Sequence, residues 1–261
     1  MPAQFSPSFQ RLFVFIVQQL FINCNRKDTV THVTGIACGN GLRSGGLYAG
    51  LAPEAGIVSV KILDSHGKGN TAAAVLGLRW IMDNAGKYTI KAVNLSIGTG
   101  GRRTDRALKE AADLLWKRGI VVVTAAGNPD GRNPPPPAIS SAVLSVGAWE
   151  DRAFFQRPAF SLFSKEHHTL PDLWAEGEDI ISVCSPDFSF SLPGRSREKM
   201  AGTSYVRMSG ASMATPFVTG AAALLLERFP HADPAEIREK LLSAASLQNG
   251  LLNRQNLLTL F

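Results

Sequence analysis

The chain is poor in cysteine and in charge. It has three cysteines, Cys24, Cys38 and Cys184, whose spacing matches neither a disulfide framework nor a zinc site, so we expect buried free thiols. Charged residues make up 18% of the 261 residues, and the net charge is +6. No basic run is interleaved with aromatics, so we expect no nucleic-acid partner. The chain has no internal repeat, and its length suits one α/β domain.

The N-terminus lacks a complete targeting signal. Residues 12–17, Leu-Phe-Val-Phe-Ile-Val, follow Arg11 and resemble the apolar core of a signal peptide. Gln18-Gln19 follow this run where a small-residue cleavage site would be needed, and the run is too short to span a membrane. A secreted and a cytoplasmic location therefore both stay open, and we expect no membrane partner.

From residue 56 onward, strand-like runs alternate with helix-like segments. The pattern predicts strands at 56–63, 91–97, 120–125 and 143–147, and helices at 71–85, 104–118, 211–229 and 234–245. Residues 152–200 are predicted to be mostly loop with short strands. The alternation predicts a parallel sheet with right-handed crossovers. Such a sheet carries its site at the carboxyl ends of its strands.

A serine lies between small residues where the most apolar helix begins. Residues 208–216 read Met-Ser-Gly-Ala-Ser-Met-Ala-Thr-Pro, and an apolar segment follows up to Leu226. Small neighbours allow a substrate carbonyl to approach Ser212, and a helix N-terminus offers unpaired N–H groups to an oxyanion. The same position is also typical of a helix cap. Local sequence alone leaves both interpretations of Ser212 open.

The whole segment resembles one family. Ser-Gly-Ala-Ser-Met-Ala-Thr-Pro, followed by Val-Thr-Gly-Ala-Ala-Ala-Leu-Leu, is similar to the nucleophile segment of the subtilisin-like serine proteases (subtilases, peptidase family S8). Ala211 and Phe217 stand where the family usually has threonine and histidine. The resemblance implies that Ser212 is the nucleophile of a serine endopeptidase, which cleaves polypeptide through an acyl-enzyme.

Other segments resemble subtilases in the family's order. Residues 122–128 are similar to the strand that delivers the oxyanion-hole asparagine, so Asn128 is the implied oxyanion donor. Residues 93–98 are similar to the strand that lines the specificity pocket and pairs with substrate. The implied substrate-binding residues are Ser96, Ile97, Gly98, Ala126 and Gly127. Residues 50–64 and 171–177 also match, and the resemblance extends from residue 31 to about 255.

Two members of the family's Asp-His-Ser triad have no counterpart. The match on residues 31–35, Thr-His-Val-Thr-Gly, places Thr29 at the family's catalytic histidine and His32 at its second, non-catalytic histidine. Residues 1–30 contain one aspartate, Asp28, which does not follow a strand. Four further histidines are expected on the solvated surface: His66, His167, His168 and His231. We therefore expect an inactive or severely impaired protease. The alternative is a non-catalytic pseudoprotease whose cleft binds extended peptides.

The resemblance also implies the architecture, a subtilisin-like three-layer α/β sandwich with a mainly parallel sheet. We expect residues 1–30 to be an atypical segment with no strand of the family, so that the sheet lacks its first elements. Residues 31–261 would form the peptidase domain, as a monomer. Calcium is common in the family, but no cluster of Asp and Asn matches a ligand set, so no cofactor or metal site is assigned.

The N-terminal segment generates a prediction about the gene. If Gly-His-Gly is encoded GGA CAC GGT, reading one base later gives GAC ACG GT, which encodes Asp-Thr-Val, the residues at 28–30. We therefore hypothesise that residues 1–30 translate the parent sequence out of frame. Resequencing should find codons at 28–30 that a one-base shift converts to Gly-His-Gly. Codons that no such shift converts would contradict the hypothesis.

Overall fold

A computed structural model describes residues 13–17, 29–62, 69–97, 105–127, 137–152, 155–158, 163–164, 169–185 and 200–261. The α-helices in these ranges are α1 (Thr29–Cys38), α2 (Thr71–Tyr88), α3 (Asp105–Lys117), α4 (Ala211–Arg228), α5 (Pro234–Ser246) and α6 (Arg254–Leu257). Short 3-10 helices lie at Leu42–Ser44 and Leu258–Leu260.

The strands are β1 (Phe13–Val17), β2 (Gly56–Val60), β3 (Ile90–Leu95), β4 (Val121–Ala125), β5 (Leu144–Arg152), β6 (Phe155–Pro158), β7 (Phe163–Ser164), β8 (Thr169–Leu170), β9 (Leu173–Glu176), β10 (Ile180–Val183), β11 (Met200–Ala201), β12 (Tyr205–Met208) and β13 (Leu251–Leu252). The helices and strands predicted from residue 56 onward are found, most of them within a few residues of the expected bounds. Among the described residues between β5 and residue 200, the strands are short.

Parallel strands form the central sheet. Its order is β13-β9-β5-β4-β3-β1-β2, and each neighbouring pair in this path is parallel, while β6 adds to β5 in the antiparallel direction. Strand β4 is buried along its whole length, as expected for a strand covered on both faces. A smaller antiparallel sheet has the order β10-β12-β11. The predicted mainly parallel sheet is confirmed.

Helices cover both faces of this sheet. Alternate residues of a strand face opposite sides, and β4 shows the result. Val121 and Val123 belong to a core shared with α4 and α5, whereas Val122 belongs to a second core with α2 and α3. The molecule therefore has three layers, which confirms the predicted architecture.

Helix α4 is the central element on its side of the sheet. Of its 18 residues, 14 are buried, and it packs against β3, β4, β5 and α1. At Gly220, a Cβ atom would lie 3.0 Å from the Leu51 Cβ and 3.1 Å from the Ala37 carbonyl oxygen. Only a residue without a side chain permits this close approach to α1 and the loop after it.

Strand β1 lies inside the sheet. It pairs with β2 from Phe13↔Gly56 to Val17↔Val60, and its other edge pairs with β3. The expectation that residues 1–30 contribute no strand is therefore wrong. The physical reason is that a short run of aromatic and β-branched residues suits a buried strand as well as a signal-peptide core. The domain boundary at residue 31 stays a prediction.

Two smaller expectations concern cysteines and membranes. Cys38 and Cys184 are buried and free, as predicted, while Cys24 lies outside the described residues. Burial raises the pKa of the Cys38 thiol to about 12.

Among the helices of the described ranges, none is long and apolar enough to cross a membrane.

A buried carboxylate joins α5 to the sheet. Arg238 Nη2 lies 2.6 Å from Asp172 Oδ1, with 14% and 3% of the two side chains exposed. The other oxygen, Asp172 Oδ2, accepts hydrogen bonds from the main-chain N–H and the hydroxyl of Ser145, at 2.7 and 2.6 Å. Asp172 precedes β9 and Ser145 lies in β5, so one side chain holds three elements together.

We predict that Arg238→Met lowers the free energy of unfolding by about 2–4 kcal/mol, because the substitution removes the guanidinium that is paired with the buried Asp172 carboxylate. Urea denaturation measures the change. The matched control is Arg106→Met, which breaks an exposed pair with Glu110 (89% and 57% exposed) and should cost less than about 0.5 kcal/mol. Equal losses in the two variants would contradict the assigned role of Asp172.

Candidate active site

The carboxyl ends of β3 and β4 lie side by side at one edge of the sheet. Leu95 of β3 is paired with Thr124 of β4, so the residues after each strand are neighbours. Ser96 and Ile97 follow β3 and are buried, and Ala126 and Gly127 follow β4. The structure thus brings four of the predicted substrate-binding residues to one edge. The other predicted residues of this edge, Gly98 and Asn128, lie outside the described residues.

Ser212 lies in the first turn of α4 and is 4% exposed. The residue before the helix is Gly210, whose φ of 135° lies in a region that favours glycine. Gly210 occupies the cap position and Ser212 is the second helical residue, so the capping interpretation of Ser212 is wrong. Its place at a helix N-terminus puts it in the partial positive potential of the helix dipole.

A chain of buried hydrogen bonds connects α4 to the end of β3. The Ser96 hydroxyl donates to the Ser212 carbonyl oxygen at 3.0 Å. The Asn94 side-chain amide donates to Ser96 Oγ at 2.9 Å, and the Thr219 hydroxyl donates to Asn94 Oδ1 at 2.8 Å. All four residues are buried. The predicted nucleophile and the predicted substrate strand are therefore linked directly.

Asn94 and Thr219 are parts of the site that the sequence prediction missed. The available signal was polarity in an apolar setting: Asn94 interrupts a buried strand, and Thr219 interrupts a buried helix. Burying a polar side chain is costly unless it is hydrogen-bonded. A partner for each was therefore to be expected, but the sequence did not identify it.

His32 has a structural role. Its side chain is fully buried, and Nε2 lies 3.0 Å from each of two carbonyl oxygens, those of Ile180 and Val206. The Nε2–H group is shared between them, so His32 attaches α1 to the adjacent strands β10 and β12. This geometry agrees with the expectation that His32 is not the catalytic base.

The other histidines supply no base within the described residues. His231 is exposed, as predicted, and follows the end of α4, roughly 25 Å from the first turn of that helix at 1.5 Å per residue. His66, His167 and His168 lie outside the described residues. Thr29 is the first residue of α1, so the segment that resembles the family's histidine motif is helical. Among the described residues, no group of three or more His, Cys, Asp and Glu side chains is placed to hold a metal ion.

The fold and the edge just described define a class of protein, an α/β protein with a serine at a helix N-terminus beside the ends of parallel strands. The sequence matches the model of the Subtilase family over residues 30–257. The chain belongs to the subtilase family.

Individual relatives agree with this assignment. The chain is 35% identical to "Serine protease AprX" from Bacillus subtilis (strain 168) over 231 residues, which are 81% of this chain and 51% of that protein. It is 31% identical to "Subtilisin DY" from Bacillus licheniformis over 83% of this chain and 69% of that protein. The chain therefore spans about half of the first relative and about two thirds of the second.

A solved structure has the same fold. The structure of "S41 Psychrophilic Protease" superposes with a TM-score of 0.72, at 20% identity, over 95% of this chain and 88% of that one. The similarity confirms the predicted subtilisin-like architecture.

His32 generates a prediction about pH. Burial lowers its pKa from 6.5 to about 4, more than the hydrogen bonds to the Val206 and Ile180 carbonyls raise it. A lowered histidine pKa means that the folded state binds the proton less readily than the unfolded state. The neutral His32 imidazole therefore makes its full contribution to the free energy of unfolding above pH 6.5. This contribution decreases by about 3 kcal/mol in total as the pH falls towards 4.

The measurement is urea denaturation of the wild type and of His32→Gln between pH 7 and pH 4. We expect the difference in unfolding free energy between the two proteins to shrink by about 3 kcal/mol across this range. The matched comparison is His231→Gln, which replaces an exposed histidine. A difference that is independent of pH for His32→Gln would contradict the prediction.

Proposed function

We propose that this chain carries a serine-endopeptidase site whose nucleophile is Ser212 and whose substrate is an extended polypeptide, bound by a monomer. The observation that carries the proposal is the position of Ser212. It lies at the N-terminus of α4 and is tied through its main chain to Ser96, at the carboxyl edge of a parallel sheet. Membership of the subtilase family supports the same reaction class.

The reaction follows from these positions. Ser212 Oγ attacks the carbonyl carbon of the scissile peptide bond, and its proton passes to a base. The negative charge that develops on the carbonyl oxygen is stabilised by the Ser212 N–H, at the positive end of the helix, and by the side-chain amide of Asn128. The segments after β3 and β4, residues 96–98 and 126–127, hold the substrate backbone.

Among the residues that the structure describes, no base for Ser212 is found. Thr29 stands at the position of the family's histidine, and neither described histidine is placed to accept the proton of Ser212. In subtilisin, removal of a triad residue leaves a rate about 10³–10⁴ above uncatalysed hydrolysis, supplied by the oxyanion hole and substrate binding. We therefore propose that this chain is a severely impaired protease.

A second function, peptide binding without cleavage, is favoured by the same histidine geometry. Extended peptides bind to strand ends mainly through main-chain hydrogen bonds, which require neither a base nor a nucleophile. In that case the segment after β3 would bind polypeptide, and Ser212 would be chemically inert.

The experiment is labelling of Ser212 by a fluorophosphonate, which measures the reactivity of a serine nucleophile. We predict slow labelling of the wild type and a rate about 50- to 100-fold higher in Thr29→His. In subtilisin, loss of the histidine costs about 2 × 10⁶ in turnover and loss of the aspartate alone about 3 × 10⁴, and the ratio of the two gives the expected gain.

The matched control is Thr31→His, which places a histidine two residues later in the same helix and should not raise the rate. Ser212→Ala should abolish labelling in every background. If no variant is labelled while an extended peptide still binds, the endopeptidase proposal fails and the peptide-binding function takes its place. Rapid labelling of the wild type would show that another residue supplies the base.

A further inference from the structure

The carbonyl group of Ser212 has lost its usual helical partner. In an α-helix, the carbonyl of residue i accepts a hydrogen bond from the N–H of residue i+4. For Ser212 that residue is Pro216, which lies inside α4 and has no N–H. A proline ring also crowds the carbonyl of residue i−4 and pushes it away from the helix axis. The sequence of α4 thus leaves the main-chain acceptor of Ser212 open.

Ser96 supplies the hydrogen-bond donor for the Ser212 carbonyl. Its hydroxyl donates to the Ser212 carbonyl oxygen at 3.0 Å, across 116 positions of sequence. A buried carbonyl without a donor would cost roughly 1–3 kcal/mol, so the bond is needed once the proline is present. Helix α4 thus lacks one internal hydrogen bond and instead accepts one from Ser96, the residue that follows β3.

Ser96 is itself held in place. Its Oγ accepts a hydrogen bond from the Asn94 amide at 2.9 Å, which leaves the hydroxyl proton to point at Ser212. Asn94 is held in turn by the Thr219 hydroxyl, one helical turn beyond Pro216. Because all of these groups are buried, no water competes for the donors. Because Asn94 donates to Ser96, the Ser96 hydroxyl proton is directed at the Ser212 carbonyl.

We infer that Pro216 and Ser96 act as a positioning pair, in which the proline frees the Ser212 carbonyl and Ser96 uses it to fix the nucleophile against the substrate-binding end of β3. This inference rests on the proposed function of Ser212. The pair couples the main chain of the attacking residue to the segment that holds the substrate, so that their relative position does not depend on the packing of α4 alone. Neither side chain touches the reacting atoms.

The test is a double-mutant cycle with Ser96→Ala, Pro216→Ala and the combined variant. Ser96→Ala should lower the Tm by about 3–8 °C, because the buried Ser212 carbonyl then loses its hydrogen bond from Ser96. In the Pro216→Ala background the same change should cost less than about 2 °C, because the N–H of the new alanine satisfies that carbonyl within the helix.

The labelling rate of Ser212 by the fluorophosphonate should behave differently from the Tm. Ser96→Ala should lower it about tenfold or more, since small displacements of a nucleophile are expensive. The combined variant should stay slow although its stability has recovered, because its carbonyl is bonded inside the helix and no longer to β3. A recovered Tm together with a slow labelling rate would distinguish a positioning role of Ser96 from a purely structural one.

The outcomes distinguish the two proposals. If the cost of Ser96→Ala in Tm is the same with and without Pro216, the pairing is wrong. If labelling recovers together with stability in the combined variant, the positioning role is wrong. Absence of labelling in the unsubstituted protein contradicts the proposed function of Ser212, and the thermal cycle alone then decides the pairing.

Thr215→Val is the matched control. The Thr215 hydroxyl is buried in the same turn of α4, but it donates within the helix, to the Ala211 carbonyl oxygen at 2.6 Å. Its loss should lower the Tm and change the labelling rate by less than about threefold, because it makes no bond to β3. A tenfold loss of labelling in Thr215→Val would show that any buried defect in α4 disturbs Ser212 and would overturn the inference.

Discussion

Helix α4 has almost no face suited to water, and the arrangement of the other elements follows from that constraint. The sheet covers one side of it, and α1 and the loop after it cover another through the close contact at Gly220. A helix buried to this extent is held by tertiary packing more than by its own propensity. Its first turn consequently has a defined place relative to the strands, and that turn is where Ser212 lies. The packing of the core therefore determines the position of Ser212.

Several buried polar side chains in this apolar setting have partners in distant elements. Asn94, Ser96 and Thr219 satisfy one another and the Ser212 carbonyl. His32 satisfies two strand carbonyls but keeps an unpartnered Nδ1. Buried networks of this kind favour one arrangement over alternatives, because a half-satisfied group is worse than an apolar one. The segments around Ser212 are thus joined by a connected framework of buried hydrogen bonds.

Much of the fold could be predicted because helices such as α2 and strands such as β4 carry long, regular apolar patterns. Strand β1 could not, because five apolar residues read equally well as a strand or as part of a targeting segment. The family motif around Ser212 predicts that this residue is the nucleophile, and this stays a prediction. The hydrogen bond between Ser96 and Ser212 was beyond prediction, since partners 116 positions apart leave no local signal. Residues 98 and 128 stay predictions.

The place of β1 has a consequence for how the chain folds. Among the described strands, β2 pairs with β1 alone, so β2 joins the sheet only through a strand that precedes it in the chain. Phe13 pairs with Ile90, so the other edge of β1 gains its partner only after β3 has left the ribosome. Non-local parallel pairing of this kind is slow, and an exposed strand invites association with other chains. The pairing of β1 with β3 in the middle of this sheet is therefore a late event in folding, although β1 precedes both of its partner strands in the chain.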